Sequence, residues 1–357
     1  MKTIEENKRW NDYVYRERRG AIVNCRWETG VFQCTQKMEY EDPSAQFESL
    51  KQNYEMEKNA AEEGFDNVPM VSVFSSVAYL LATAYGCPVH IQNDLTVARP
   101  LYADADAIER DFSFIPRAYE RGLYRTVFER IDLFQERYPH IPIGVSDTQS
   151  PIDILTELMP MEEAILLLYD NPTMAHTILS ALTDSIIEVN RHFEHKIANF
   201  AGFKSARYLP YGIHVSDDNA AFLSPSVYRE FALPYVERLS DEFGGIQFHV
   251  CMKYEQNLAS LAGAKGCIGL DAMPYYNDPY KIVEAMGGRQ VWNLYDESFT
   301  RPGDQKESAE SFYKRMIDIN ENRNAIKFDI SEPDREPALR LADTVKNYAA
   351  RKGMAVR

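Results

Sequence analysis

The segment Gln247-Phe248-His249-Val250-Cys251 carries the sharpest chemical signal in the chain. Read as a strand, it sends residues two apart to the same face. His249 and Cys251 then point together, and Val250 points the other way. An imidazole nitrogen and a thiolate sulfur suit Zn²⁺ as a pair. Two donors are not a site, because a catalytic zinc takes three protein ligands and keeps one position open. The same spacing also fits a small packed thiol beside a hydrogen-bonded histidine. Carboxylates that could supply a third donor are Asp217, Asp218, Asp329 and Glu332. Cys267 is poorly placed for it. It begins its strand, and at ~3.3 Å per residue it would lie about 13 Å below the level of Asp271.

The adjacent pair Asp217-Asp218, with His214 just before it, is a second candidate. Two acids beside an imidazole could move protons or ligate a metal. The same residues could equally be loop polarity, or a cap ahead of the helix that starts after Ser224.

Elements that would hold these groups alternate along the chain. Strand candidates are Ala21–Trp27, Val68–Phe74, Ile141–Ser146, Ala206–Gly212, Ile246–Val250, Gly266–Leu270, Gln290–Leu294 and Ala325–Ile330. Longer helical patterns separate them, as a closed parallel barrel requires. Asp42-Pro43, Asn171-Pro172, Ser224-Pro225 and Asp278-Pro279 each set a capping side chain before a proline suited to the first helical turn. The fold class expected is α/β, a (β/α)₈ TIM barrel. It forms a single domain over residues 21–357, with an N-terminal helical extension over residues 1–20.

Functional residues of such a barrel collect where strands end. The exits give Arg26 and Glu28, then Ser75 and Ser76, then Asp147. Next come His214 to Asp218, and His249 with Cys251. Asp271, Asp296 with Glu297, and Asp329 with Glu332 complete the ring. The segments 75–140 and 274–288 are long for connections, and the first is a candidate lid or substrate wall.

Bulk properties narrow the partners. Acidic residues number 54 against 39 basic ones, a net charge of −15, which disfavours nucleic acid. The N-terminus lacks an apolar signal core, and no apolar run approaches a membrane span. Five cysteines, an odd number without a disulfide spacing, suit a reducing cytoplasm.

Several runs together resemble the uroporphyrinogen decarboxylase superfamily. They are Tyr211-Gly212-Ile213-His214-Val215-Ser216-Asp217-Asp218, then Phe222-Leu223-Ser224-Pro225, then Tyr228 to Tyr235. Phe243-Gly244-Gly245 leading to His249-Val250-Cys251 adds to them, as do Pro142 to Val145 and Tyr169-Asp170-Asn171-Pro172. The resemblance covers about residues 65–345. It implies a barrel with a funnel-shaped cleft, and one of two activities: cofactor-free decarboxylation of uroporphyrinogen, or corrinoid-linked methyl transfer in which zinc activates a thiol.

The chain departs from the decarboxylases. Their arginine-rich loop is absent from Cys25 to Gly30. Their catalytic aspartate falls at Ser76, their tyrosine near Glu157, and no late histidine stands in residues 325–333. The methyltransferases take zinc on a His-x-Cys pair, matched by His249 and Cys251, and on a later cysteine. That later position falls near Asp329 to Glu332, so a carboxylate, Glu332 or Asp217, is the expected third ligand.

The expectation is therefore a methyltransferase or demethylase with Zn²⁺ on His249, Cys251 and Glu332 and a corrinoid as co-substrate. Asp217, Asp218, His214 and Arg26 would do the chemistry, and Asp147, Tyr211 and Asp271 would contact substrate. A small molecule and a corrinoid protein are the expected partners, with a homodimer allowed, and no nucleic acid or membrane. Two alternatives stand beside it. One is a decarboxylase of uroporphyrinogen or a related carboxylated substrate, anchored by Arg26. The other is a non-catalytic accessory protein that binds a corrinoid or another small molecule.

Overall fold

In the computed structural model, residues 3–75, 77–295 and 307–357 are described. Ser76, Asp296 and Glu297 lie outside them. The strands are β1 (Ala21–Trp27), β2 (Val89–Gln92), β3 (Leu95–Ala98), β4 (Ile213–Ser216), β5 (Ile246–His249), β6 (Cys267–Asp271), β7 (Val291–Tyr295) and β8 (Ala325–Glu332). Six of them form one parallel sheet in the order β1-β8-β7-β6-β5-β4. β2 and β3 are a separate antiparallel hairpin.

The remaining arc of the barrel is built from shorter pairings. Val71 N donates to Pro142 O at 3.0 Å and Gly144 N to Val71 O at 2.8 Å. Ile143 N donates to Asn199 O at 2.9 Å, and isolated parallel bridges join Phe203 to Ile213 and Gln149 to Ser216. Between β1 and this arc, side chains stand in for a ladder. Asp66 Oδ2 accepts from Val23 N, and the Asn67 amide bonds both the N–H and the carbonyl of Cys25. The segments 68–74 and 141–146 thus hold their expected barrel positions without long ladders. Pro69 and Pro142 have no N–H to give, and Phe74 turns into the left-handed region at φ 55°. The fold is a (β/α)₈ barrel.

One strand differs from expectation. Residues 206–212 form no strand, because Ala206 and Gly212 adopt positive φ and Pro210 lacks a donor. The fourth barrel position is Ile213–Ser216 instead. This shift moves Tyr211 to the foot of the barrel, away from the strand exits. There its hydroxyl donates to Tyr15 O at 3.0 Å.

The helix Ile4–Glu17 opens with a Thr3–Glu6 capping box. It lies across the foot, where Val14 and Tyr15 pack with Ile22, Leu209, Ile268, Val291 and Ala325. Asn7 and Asn11 are buried on it and donate to carbonyls of Phe65, Asp66 and Asn67.

The segment after Val77 forms the helix Leu80–Tyr85, the β2–β3 hairpin, and the helices Ala105–Asp111 and Gly122–Arg137. Asn93 and Asp94, both at positive φ, make the tight hairpin turn. Thr96 bonds Gln36 on the helix that follows β1, which sets the hairpin on the mouth side. Among the described residues no helix is long and apolar enough to cross a membrane.

Candidate metal centre at the barrel mouth

β5 ends at His249, Val250 is buried, and Cys251 emerges exposed. His249 Nε2 stands 2.9 Å from Cys251 Sγ. A carboxylate joins them from the next strand exit. Asp218 Oδ1 accepts from Cys251 N at 2.6 Å. One donor atom each from Asp218, His249 and Cys251 then lies within 4.8 Å of the others.

Local structure explains why Asp218, and not its neighbour, arrives there. Asp217 N extends the β4–β5 ladder by bonding His249 O at 2.9 Å. The chain then turns into a short 3₁₀ helix at Asp218–Ala221. Asp153 holds this turn, accepting from Asp218 N at 2.7 Å and from Asn219 N at 2.9 Å. Asp217 faces away, fully buried, and accepts from Tyr228 OH at 2.5 Å. Burial pushes its carboxyl up to about 6, and Asp218 adds to that. Asp217 is therefore a packed internal group without access to substrate.

At the level of His249, its register partner on β6, Asp271 gathers four partners. Gln247 Nε2 donates at 2.7 Å, and His214 Nε2 lies at 3.3 Å. Lys204 Nζ is at 3.6 Å and His249 Nδ1 at 3.7 Å. Burial opposes ionisation of Asp271, but Lys204 and the two imidazoles outweigh it and hold the carboxyl well below the usual range. His249 is raised, because hydrogen bonds to Asp271 and Cys251 outweigh its burial. His214 is pushed down to about 3 by burial and by Lys204, so it is neutral near pH 7. His214 was expected at the strand exit. It sits lower because its register partner is Gln247, not His249. His214, His249 and Asp271 also form a compact donor group. The Lys204 ammonium already sits against its carboxylate, which disfavours a dication there.

Of the other expected site residues, Asp147 lies near this group and the rest lie elsewhere. Asp147 is half-buried, accepts from Gln149 at 2.6 Å, and is raised by burial against the pull of His249. Asp329 is buried with Asn24 at 2.8 Å and Arg207 at 3.2 Å. Arg26 is bound by Glu57 and donates to Ala206 O, so its charge is already compensated. Glu332 belongs to neither compact donor group among the described residues. It pairs with Trp27 at the end of β8, and β6 and β7 separate β8 from β5. Asp218 takes the place expected for it. Lys204, Gln247 and Tyr15 were given no role from the sequence. For Gln247 the signal was available, since it stands two residues before His249 and must share its face.

The chain is similar to known proteins. Residues 44–287 match the uroporphyrinogen decarboxylase (URO-D) model, and the chain belongs to that family. Among solved structures, a methyltransferase from Methanosarcina mazei is similar in fold, with a TM-score of 0.67 and 15% identity, covering 98% of this chain and 99% of its own. A B12-independent methionine synthase from Shewanella sp. W3-18-1, in complex with selenomethionine, has a TM-score of 0.50 at 10% identity, over 94% of this chain and 97% of its own. Among curated proteins, none matches the sequence.

Proposed function

We propose that the chain is an enzyme that transfers a methyl group between a corrinoid and a thiol, at a Zn²⁺ held by Asp218, His249 and Cys251. The observation that supports it is the convergence of an oxygen, a nitrogen and a sulfur donor within 4.8 Å at the barrel mouth. The set fits zinc: three protein ligands of accepted type, with exposure at Cys251 leaving an open side. When bound, zinc lowers the pKa of a thiol ligand and presents the thiolate to an electrophilic methyl group.

The chain's own residues prepare that site. Asp271, charged and paired with Lys204, faces His249 Nδ1 and keeps Nε2 turned toward Cys251. Asp153 fixes the turn that presents Asp218. Asp217 packs inward against Tyr228 and takes no part in holding the ion. Asp147 and His214 give polar groups beside and below the centre. The partner that brings the methyl group is a corrinoid protein docking at the mouth.

The test is direct. Zinc-loaded protein is incubated with methylcobalamin and a small panel of thiols, including homocysteine and 2-mercaptoethanol. Thioether formation that needs zinc and disappears in Cys251→Ser is expected. Zinc-loaded protein that binds methylcobalamin but forms no thioether with any of these thiols would favour the accessory reading instead.

A further inference from the structure

The candidate centre is joined to the foot of the barrel by a continuous line of buried polar groups. Tyr15 OH donates to Gln247 Oε1 at 2.8 Å, and Gln247 Nε2 donates to Asp271 Oδ1 at 2.7 Å. Asp271 Oδ2 faces His249 Nδ1 at 3.7 Å, and His249 Nε2 faces Cys251 Sγ. Tyr15 and Gln247 are 0% exposed and Asp271 is 4% exposed, so water does not compete between the foot and Asp271.

The polarity of the line is fixed from one end. An ionised carboxylate only accepts hydrogen bonds. Asp271 therefore requires the NH₂ of Gln247, which leaves Gln247 Oε1 turned toward the foot. That oxygen needs a donor, and the Tyr15 hydroxyl faces it at 2.8 Å, with Asn293 Oδ1 as the hydroxyl's second acceptor at 3.0 Å. On its other side the same carboxylate favours an N–H at His249 Nδ1, so in the neutral imidazole the Nε2 lone pair faces Cys251. A buried amide without a fixed partner could rotate and present oxygen to Asp271, a repulsive contact. Tyr15 removes that alternative.

We infer that the N-terminal helix is part of the site, with Tyr15 a positioning residue that acts through Gln247 and Asp271 to set the tautomer of His249. The metal-affinity side of this inference rests on the zinc reading above, but the tautomer side does not.

The experiment compares the full chain with Tyr15→Phe, which keeps the ring and its packing. Zinc affinity is measured by competition with a chromophoric chelator, and imidazole ¹⁵N shifts of His249 are recorded in the metal-free protein across a pH titration carried up to where the ring is neutral. Tyr15→Phe should weaken zinc about 3- to 10-fold, at or below the ~10- to 100-fold typical of losing an outer partner. It should also raise the share of the Nε2–H tautomer. In an Asp271→Asn background the same change should have no further effect, because the path is already cut. Gln247→Met cuts it in the middle and serves the same purpose if Asp271→Asn does not fold. Unchanged zinc affinity in Tyr15→Phe overturns the inference. So does a loss of equal size in both backgrounds, which marks a packing effect. If the parent chain binds no zinc, the metal reading fails and the ¹⁵N shifts decide alone. A tautomer change in Tyr15→Phe supports the relay, and identical shifts refute it.

Discussion

Cys251 and Cys267 stand on neighbouring strands of one barrel, yet they live in different chemistry. Cys267 opens β6 at the foot, is buried, and has its thiol pushed up to about 12 by that burial. Its sulfur faces the carbonyl of Gly269, at 3.7 Å. Cys251 lies just past the end of β5, exposed, with an imidazole nitrogen at 2.9 Å and a carboxylate on its own N–H. The foot spends its polar groups on closure: Asp66 and Asn67 complete a ladder, and Asn7 and Asn11 fasten the N-terminal helix. At the mouth, donors converge on a shared point instead. The division of labour, stability below and chemistry above, is the one expected of a parallel barrel.

The sharpest way to break this comparison is to remove each sulfur in turn. Cys251→Ser should drop bound zinc from near one equivalent to a small fraction while leaving Tm almost unchanged, since a hydroxyl is a poor soft donor. Cys267→Ser should do the reverse, keeping the metal but costing about 1–3 kcal/mol for a buried hydroxyl. Metal analysis and urea unfolding read both. Equal zinc loss in the two variants would erase the distinction between mouth and foot.

The two adjacent acids give a smaller contrast. Asp218→Asn should weaken zinc by on the order of 100-fold, because the amide brings no charge to the ion. Tyr228→Phe, which strips the partner of Asp217, should instead cost about 1.5–3 kcal/mol of stability with little change in zinc affinity. Loss of metal in Tyr228→Phe comparable to that in Asp218→Asn would show that Asp217 belongs to the centre after all.

The last contrast is a slope. His214 is held down to about 3 in the folded chain, first by burial and then by Lys204. An unfolded histidine titrates near 6.5, so the unfolded chain binds the extra proton between those values. The stability this represents is present above about 6.5 and is lost as pH falls toward 3. His214→Gln should flatten that part of the stability curve, as seen in urea midpoints at pH 4.5, 5.5 and 7. An unchanged slope would mean that His214 is not the buried neutral group.

Much of this arrangement was legible in the sequence, and the gaps have physical causes. Alternation along a strand put His249 and Cys251 on one face, and the same rule would have placed Gln247 beneath them. Alternation stops where strands stop. Asp217 and Asp218 follow the end of β4, so only the turn held by Asp153 decides which one faces Cys251. Tyr211 was misplaced because the run from Ala206 to Gly212 has aromatic and apolar residues like a strand, while its positive φ angles and Pro210 prevent one. Glu332 was chosen by its position along the chain, but reach depends on strand order, and two strands intervene. Lys204 carried no sequence signal, since its partner Asp271 is distant in the chain.

What surrounds zinc in the protein supplied with it decides the role of the mouth. X-ray absorption at the zinc edge measures that without any substrate. The expected result is about one equivalent of zinc with one sulfur near 2.3 Å and nitrogen or oxygen neighbours near 2.0–2.2 Å. The sulfur shell should vanish in Cys251→Ser, and the light-atom shell should change in Asp218→Asn. Zinc bound only by nitrogen and oxygen in the parent chain, or bound well below one equivalent, would contradict the account.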